Sequence, residues 1–568
     1  MLPADCDWEK LKIASSLLSI FRCFSETWGP PYDPHSYASS WKSPDEAHFA
    51  AFQGMTSPIT RGQLIADISN VLLVEDPGVR ETEWQGILQA VHASAIDLPF
   101  SGKRNPTVIN RRLAGYMPGQ QQFDYPLHTL QVMSGPNAIV VAPGAQTGLF
   151  STVGRLDPHT YRPNEFFANN WVYEGLVSYG PDGVIEPSLA TAWTTTDLSN
   201  GDQRYTFTLR TGVTFHDGAV WDCSVARLNF DHVLAAPLTT GDWHGWYDLP
   251  QKVKNWACND ASTFVFETTG KYYPLLQELS YIRPLRMLSP TSFVGGAASD
   301  PLLQNTCHTG WDDGSGITGN GVTLRCAGIT APSGTGPWKY VDTVYESDGS
   351  TVSEVNFVAH SNHWRAAPHI DSVKVKVYAT HNAVKAALLD GSLDVVVGSG
   401  VLTPADLNDM RLNNAATHGV YLGPVIINRM VIINGNKAPT NEINVRKTII
   451  HGVNKAAIID KELYGFAEPV DALFPKTAPY CNVDLTPRWD YDLQKAKLLN
   501  CPVPVAGADD SDNAVVWVVV AIVAAIGIGV AVATYFWGKK SGEQAAHLLH
   551  DIASEPEERN PNGLKAGV

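Results

Sequence analysis

The sequence is poor in charge and lacks most of the short patterns that mark enzymes. Asp, Glu, Lys and Arg make up only 17% of its 568 residues while hydrophobic residues reach 44%, which excludes a largely disordered chain. There is no basic stripe, and a formal net charge of −16 speaks against nucleic acid, whose phosphates need clustered Lys and Arg. No CxxC pair occurs, so a zinc ribbon or thioredoxin-like motif is excluded. No GxSxG, HExxH, P-loop or paired-carboxylate pattern stands out, and the chain is not expected to be an enzyme or to require a cofactor. Gly314, Gly316 and Gly319 fit GxGxxG on paper. They follow Asp312 and Asp313 instead of an apolar strand, and dinucleotide binding needs strand, turn and helix in that order.

One long uncharged run is present. Ala514 to Trp537 would span roughly 36 Å as a helix, enough for a ~30 Å hydrocarbon core. Asp509, Asp510 and Asp512 precede it and Lys539 and Lys540 follow, so a single-pass helix with the bulk of the chain extracytoplasmic and residues 538–568 as a cytoplasmic tail is expected. A signal peptide should then open the chain, but Asp5, Asp7 and Glu9 occupy the region that should be basic. Residues 1–20 are left unassigned, and the chain is expected to start in the middle of something. The even number of cysteines suggests disulfides, and three pairings are considered: Cys307 with Cys326, Cys223 with Cys258, and Cys481 with Cys501. Buried thiols are the alternative for each.

Periodicity predicts α/β or α+β lobes. Residues 161–180 look helical, and Arg204–Arg210 alternates as a half-buried strand should. Asp371–Tyr378 alternates again, His381–Leu389 reads as a helix and Leu393–Val397 as a short buried strand. Val445–Tyr464 reads as one long helix ended at Gly465. Residues 502–513 are small and acidic, a linker into the membrane run.

The stretch VYEGLVSYGPDGVIEPSLATAW, followed by YTFTLRTGVTFHDGAVW, resembles the peptide/nickel cluster (family 5) of substrate-binding proteins of ABC importers. KYYPLLQELSYIRPLRMLSP, SGTGPW, NKAPTNEINVRKTIIHGVNKAAIIDKELYG and DALFPKTAPY look most like its nickel-binding branch, and these blocks cover roughly residues 150–500. TWGPPYDPHSYASSW through HASAIDLPF is similar to the last quarter of the same fold, so its end precedes its beginning. The resemblance implies a two-lobed periplasmic-binding-protein-like (type II) fold, permuted or truncated. Its parts would be a C-terminal-quarter segment at 21–132, a linker at 133–150, a first lobe at 151–377 and an incomplete second lobe at 378–501. A circular permutation and a remnant of tandem copies both explain the order; the remnant is preferred, because the stretch that usually follows DYDLQKAKLLN is absent at both ends.

In such proteins two lobes close on a ligand in the cleft between them. A nickel chelate rich in carboxylates calls for a guanidinium and flat aromatic walls. Arg283 matches the family's carboxylate-pairing arginine, and Tyr161, Trp246, Trp28 and Tyr32 match its aromatic cleft positions. Three positions depart: the second cleft arginine falls on Trp243, the methionine contact on Phe166, and the metal-contacting histidine on Glu46, with His48 two residues on. Glu46 or His48 could ligate a metal, imidazole being the better nickel ligand. His216 and Asp217 in FHDG are read as a fold-defining turn. The expected function is capture of a nickel or other transition-metal chelate for uptake through an ABC permease. The alternatives are an oligopeptide-binding protein and a membrane-tethered surface protein with a decayed binding fold.

Overall fold

The computed structural model describes residues 21–500, less 27–33, 43, 45–46, 122–123, 145–152, 154–155, 157, 160–165, 235–248, 283, 294–315, 320–321, 326–330 and 350. Its largest sheet runs, in spatial order, Phe21–Glu26, His418–Ile433, Asp97–Asn110, Val395–Val397, Ala138–Pro143, Ser372–Lys376, Val352–Ala359 and Trp338–Tyr345. Glu468–Pro469 adds to Asp97–Asn110. Ala138–Pro143 pairs in parallel with both its neighbours, and the other pairings are antiparallel. A smaller antiparallel sheet comprises Val253–Asp260, Thr263–Thr268, Gln203–Leu209 and Ala190–Asp197.

The apolar cores divide the molecule into two bodies. One is built from residues 37–100 together with 426–489: Trp41, Phe52, Leu64, Ile68 and Trp84 pack with Ile426, Met430 and Leu473, and Leu98 and Phe100 with Ile449 and Trp489. The other lies within residues 108–422, with one cluster around Trp171, Trp338 and Phe357, one around Phe207, Trp221 and Phe264, and one around Val396, Leu388 and Met410, which Phe466 joins. Both long strands, Asp97–Asn110 and His418–Ile433, pass from one body to the other as a pair. Their ladder is irregular where they cross, with register shifts between Leu422 and Val425 and between Val425 and Ile427. Gly102 and Pro106 lie in the same stretch, and Pro cannot donate to a ladder, so the pairing is weakest between the bodies and bends there most easily. Arg446 ties the two pieces of the smaller body together. Its guanidinium, pushed down to about 10 by burial, donates to the carbonyls of Ser94, Thr440 and Asn441.

Several expected boundaries shift. Among the described residues of the stretch 161–180, expected as a helix, Phe166–Val172 is helical and Val177–Tyr179 is a strand. The expected long helix over 445–464 is two, Ile443–Gly452 and Lys455–Leu463, because Asn454 caps the second by accepting from the Ala457 amide. The stretch 133–150, expected as a linker, contains Ala138–Pro143, an interior strand of the large sheet. Residues 378–410, expected in the second lobe, pack on Val108 and Ala142 instead, so the chain changes body in the long strands and not at 377/378. Residues 113–130, expected with the preceding segment, bury Leu113, Tyr125, Leu127 and Leu130 in the larger body.

Cys223 and Cys258 form a disulfide, one of the three pairings considered. Cys481 is buried, while Cys307, Cys326 and Cys501 lie outside the described residues. The bridge pins the helix Cys223–Val233 to the strand Val253–Asp260 and closes a loop of 35 residues, which by chain entropy is worth about 4 kcal/mol. Cys258→Ser is therefore expected to lower the thermal midpoint of the larger body by several degrees in a non-reducing buffer. An unchanged melt would show that the bridge does not constrain the unfolded chain.

Candidate functional site: the gap between the bodies

The two bodies line a half-open cavity of about 60 Å³ beside the paired strands. The larger body contributes Gln120, Tyr179, Gly180 and Gly183; Pro424, Val425 and Ile426 come from the crossing strand, and Pro475, Thr477 and Ala478 from the smaller body. The volume holds a few waters, well short of the ~300 Å³ and more of a small-molecule pocket. Backbone and apolar surface dominate the wall. The polar groups available are the Gln120 amide, the Tyr179 phenol and the Thr477 hydroxyl.

Of the residues expected to hold a ligand, Arg283, Tyr161, Trp246, Trp28, Tyr32 and Glu46 lie outside the described residues, as does Trp243. Phe166 begins the helix Phe166–Val172. His48 is described, and it is turned into the core of the smaller body. Its Nε2 is 2.7 Å from Asp97 Oδ1, its Nδ1 3.3 Å from the Tyr37 hydroxyl, and Trp41 and Phe52 enclose the ring. Both nitrogens thus face protein groups, which removes the lone pair a metal would need. Among the described residues no group of three His, Cys, Asp or Glu side chains is placed to hold a metal ion. Nor is any described helix long and apolar enough to cross a membrane; Ala514–Trp537 lies outside the described residues.

Around Arg286, three residues after Arg283 in the sequence, the larger body buries a charge network that the sequence reading did not single out. Arg286 donates to Asn170 Oδ1 at 2.9 Å, and burial pushes its guanidinium down to about 10 against the pull of Glu174 and Asp124. Glu174, in the YEGL motif, accepts from Thr335 Oγ1 at 2.8 Å and Trp364 Nε1 at 2.6 Å, with His363 Nε2 at 3.4 Å. Burial alone would raise the Glu174 pKa; those donors outweigh it and hold the carboxyl below its ordinary value. Asp124 goes the other way, raised by burial despite the Gln120 amide and Arg286. The FHDG turn is structural. His216 Nε2 donates to the Gly336 carbonyl and its Nδ1 accepts from the Gly334 amide, while Asp217 accepts from Ser289 Oγ at 2.6 Å and the Ala219 amide at 3.0 Å. Gly316–Gly319, the last part of the GxGxxG pattern, is a strand paired with Val322–Arg325 and opens no helix.

The profile of the bacterial extracellular solute-binding proteins, family 5 (middle region), matches residues 184–500. The chain belongs to family 5. Its similarity to the nickel-binding periplasmic protein of Escherichia coli K12 is 34% identity over 347 residues, 61% of this chain and 58% of that protein. The dipeptide-binding protein of the same organism is 23% identical over 461 residues, 72% of this chain and 77% of that protein. The crystal structure of NikA from Brucella suis in complex with Fe(III)-EDTA superposes with a TM-score of 0.50 at 28% identity, covering 64% of this chain and 63% of that one. The chain thus spans a little under three fifths of the nickel-binding relative's length. Family 5 membership accords with the mixed α/β content and the two-body arrangement.

Proposed function

We propose that this family 5 protein captures a small solute, a nickel or other transition-metal chelate, between its two bodies and presents it to an ABC permease. The observation that carries the reading is the pair of long strands joining two separately cored bodies around a gap, in a chain 34% identical to a nickel-binding periplasmic protein. The metal here is cargo. Arg283 would pair with the carboxylates of the chelator, and Tyr161, Phe166, Trp246, Trp28 and Tyr32 would wall the cleft. With His48 facing Asp97, the chelator would supply the metal's ligands. The bulk of the chain would be extracytoplasmic, anchored by Ala514–Trp537. A peptide ligand is the second reading, favoured by the alignment to the dipeptide-binding protein, which covers 77% of that protein.

Calorimetric titration of the full chain in detergent tests this. Nickel with histidine or citrate is expected to bind, nickel alone to give no saturable heat, and Arg283→Ala to weaken the chelate about tenfold to a hundredfold. Equal binding of bare nickel, or saturable binding of di- to tetrapeptides alone, would overturn the chelate assignment.

A further inference from the structure

Apart from the paired strands, the two bodies meet along a seam on which three features converge. Tyr273, in the loop after the strand Thr263–Thr268, leaves the larger body and lies against the smaller one. Its ring faces the Arg80 guanidinium at 3.9 Å, its hydroxyl accepts from Trp84 Nε1 at 3.1 Å, and the Tyr480 ring meets it edge-on at 6.1 Å. The socket is built independently of its occupant. Arg80 is 7% exposed, donates to the carbonyls of Val74 and Glu75, and reaches the Tyr480 hydroxyl at 2.8 Å. The neighbouring Tyr272 points the opposite way, buried in the larger body with its hydroxyl 3.0 Å from Glu278 Oε1, so the loop is anchored as well. Lys271 bridges the seam to Glu75 while holding Asp197 of its own body at 2.9 Å. Finally, Gly183 sits at φ +76°, and a Cβ there would lie 2.4 Å from Pro479 Cγ, so the turn Pro181–Gly183 approaches the smaller body as closely as a backbone can.

We propose that the loop Gly270–Pro274 is a clasp, with Tyr273 as its plug, that holds the two bodies closed before any solute binds. A ring over a partly desolvated guanidinium together with a buried indole N–H bond favours the closed form by about tenfold or more. The exposed Lys271 pair adds little by comparison. Opening the cleft must withdraw Tyr273 from Arg80 and Trp84, and Gly183 from Pro479, in one motion. The clasp is a property of the seam and does not depend on which solute is bound.

Hydrogen exchange of the full chain in detergent, without added solute, tests it. The amides of Ala478 and Cys481 bond within the turn that carries Pro479 and Tyr480 and report on the seam from the smaller body. Tyr273→Ala is expected to speed their exchange about tenfold while the strands Gln203–Leu209 and Thr263–Thr268 keep their rates. Tyr273→Phe keeps the ring over Arg80 and loses only the Trp84 bond, so a rise of about threefold is expected, and Lys271→Ala should stay within about twofold. Unchanged exchange at Ala478 and Cys481 in Tyr273→Ala overturns the clasp. Should that variant lose its fold, unchanged exchange in Tyr273→Phe does the same.

Discussion

Without residues 1–96, the segment 426–489 is expected to lose its folded core and become open to protease, while the strands of the smaller sheet stay protected. The reason lies in who shares which core. Ile426, Met430, Ile432, Leu473 and Phe474 are buried chiefly against side chains from residues 37–96, including Trp41, Phe52, Leu64, Ile68, Trp84 and Ile96. Each large side chain left in water forfeits ~1.5–3 kcal/mol, and a folded domain has only ~5–15 kcal/mol in hand. Arg446 would also lose the Ser94 carbonyl and be left with a buried guanidinium short of acceptors. A single substitution makes the same point more gently. Trp41 is fully buried, and Trp41→Ala is expected to cost ~3–5 kcal/mol and to unfold the smaller body first. Limited proteolysis of the deleted chain, mapped by mass spectrometry, is the check. A protease-resistant 426–489 fragment would show that this half of the body stands alone.

That arrangement bears on the order of the chain. The segment resembling the end of the fold pairs with His418–Ile433 through twelve register partners from Ile432↔Asp97 to His418↔Asn110. The long strand is therefore flanked on both sides by residues from the front of the chain, Phe21–Glu26 and Asp97–Asn110.

Local signals carried the local structure. The strand Gln203–Leu209 follows its alternation, and the helix His381–Asp390 is bounded by Thr380, which accepts from the Ala383 amide, and by Gly391 at φ +80°. What failed to show was long-range. Ala138–Pro143 is a short apolar run whose two partners lie more than 220 residues away, and nothing within it distinguishes a buried parallel strand from a connector. The break at Asn454 was masked by apolar spacing that continues on either side of it. The residues named by family resemblance were legible as motifs along the chain, but the Tyr273 socket was not. It joins positions 189 residues apart, and no pattern along the chain links an arginine and a tryptophan on one helix to a tyrosine in a distant loop. Arg286 and Glu174 stood inside quoted motifs, yet their burial is a property of the fold alone.

Mild acid should destabilise the protein well before its carboxylates protonate, because several histidines are buried neutral. Burial, the largest cause in each case, pushes His216 and His35 down to about 3 and His159 down to about 4. The hydrogen bonds add to the cost of a proton. His159 Nε2 donates to the Arg286 carbonyl, which leaves Nδ1 as its acceptor, 2.8 Å from His232 Nδ1; a proton there would require the His232 ring to present a lone pair instead of an N–H. His216 Nδ1 likewise accepts from the Gly334 amide. A folded pKa below the unfolded ~6.5 gives stability that is complete above pH 6.5 and lost as pH falls toward the folded value. At pH 5 each such histidine costs about 2 kcal/mol, so His159 and His216 together take about 4 kcal/mol from the larger body, roughly 10 °C in its melting point. The depressed Glu174 and Asp217 act in the same direction at lower pH, while Asp124, raised by burial, acts against them. His128, down to about 4, and His360 and His418, also lowered by burial, act in the same direction as His159 and His216. Melting curves at pH 7.5 and pH 5 should show the drop, and His216→Gln, which titrates nowhere, should remove its own share of it, about 2 kcal/mol at pH 5. A melting point flat across that interval would mean that these imidazoles reach water.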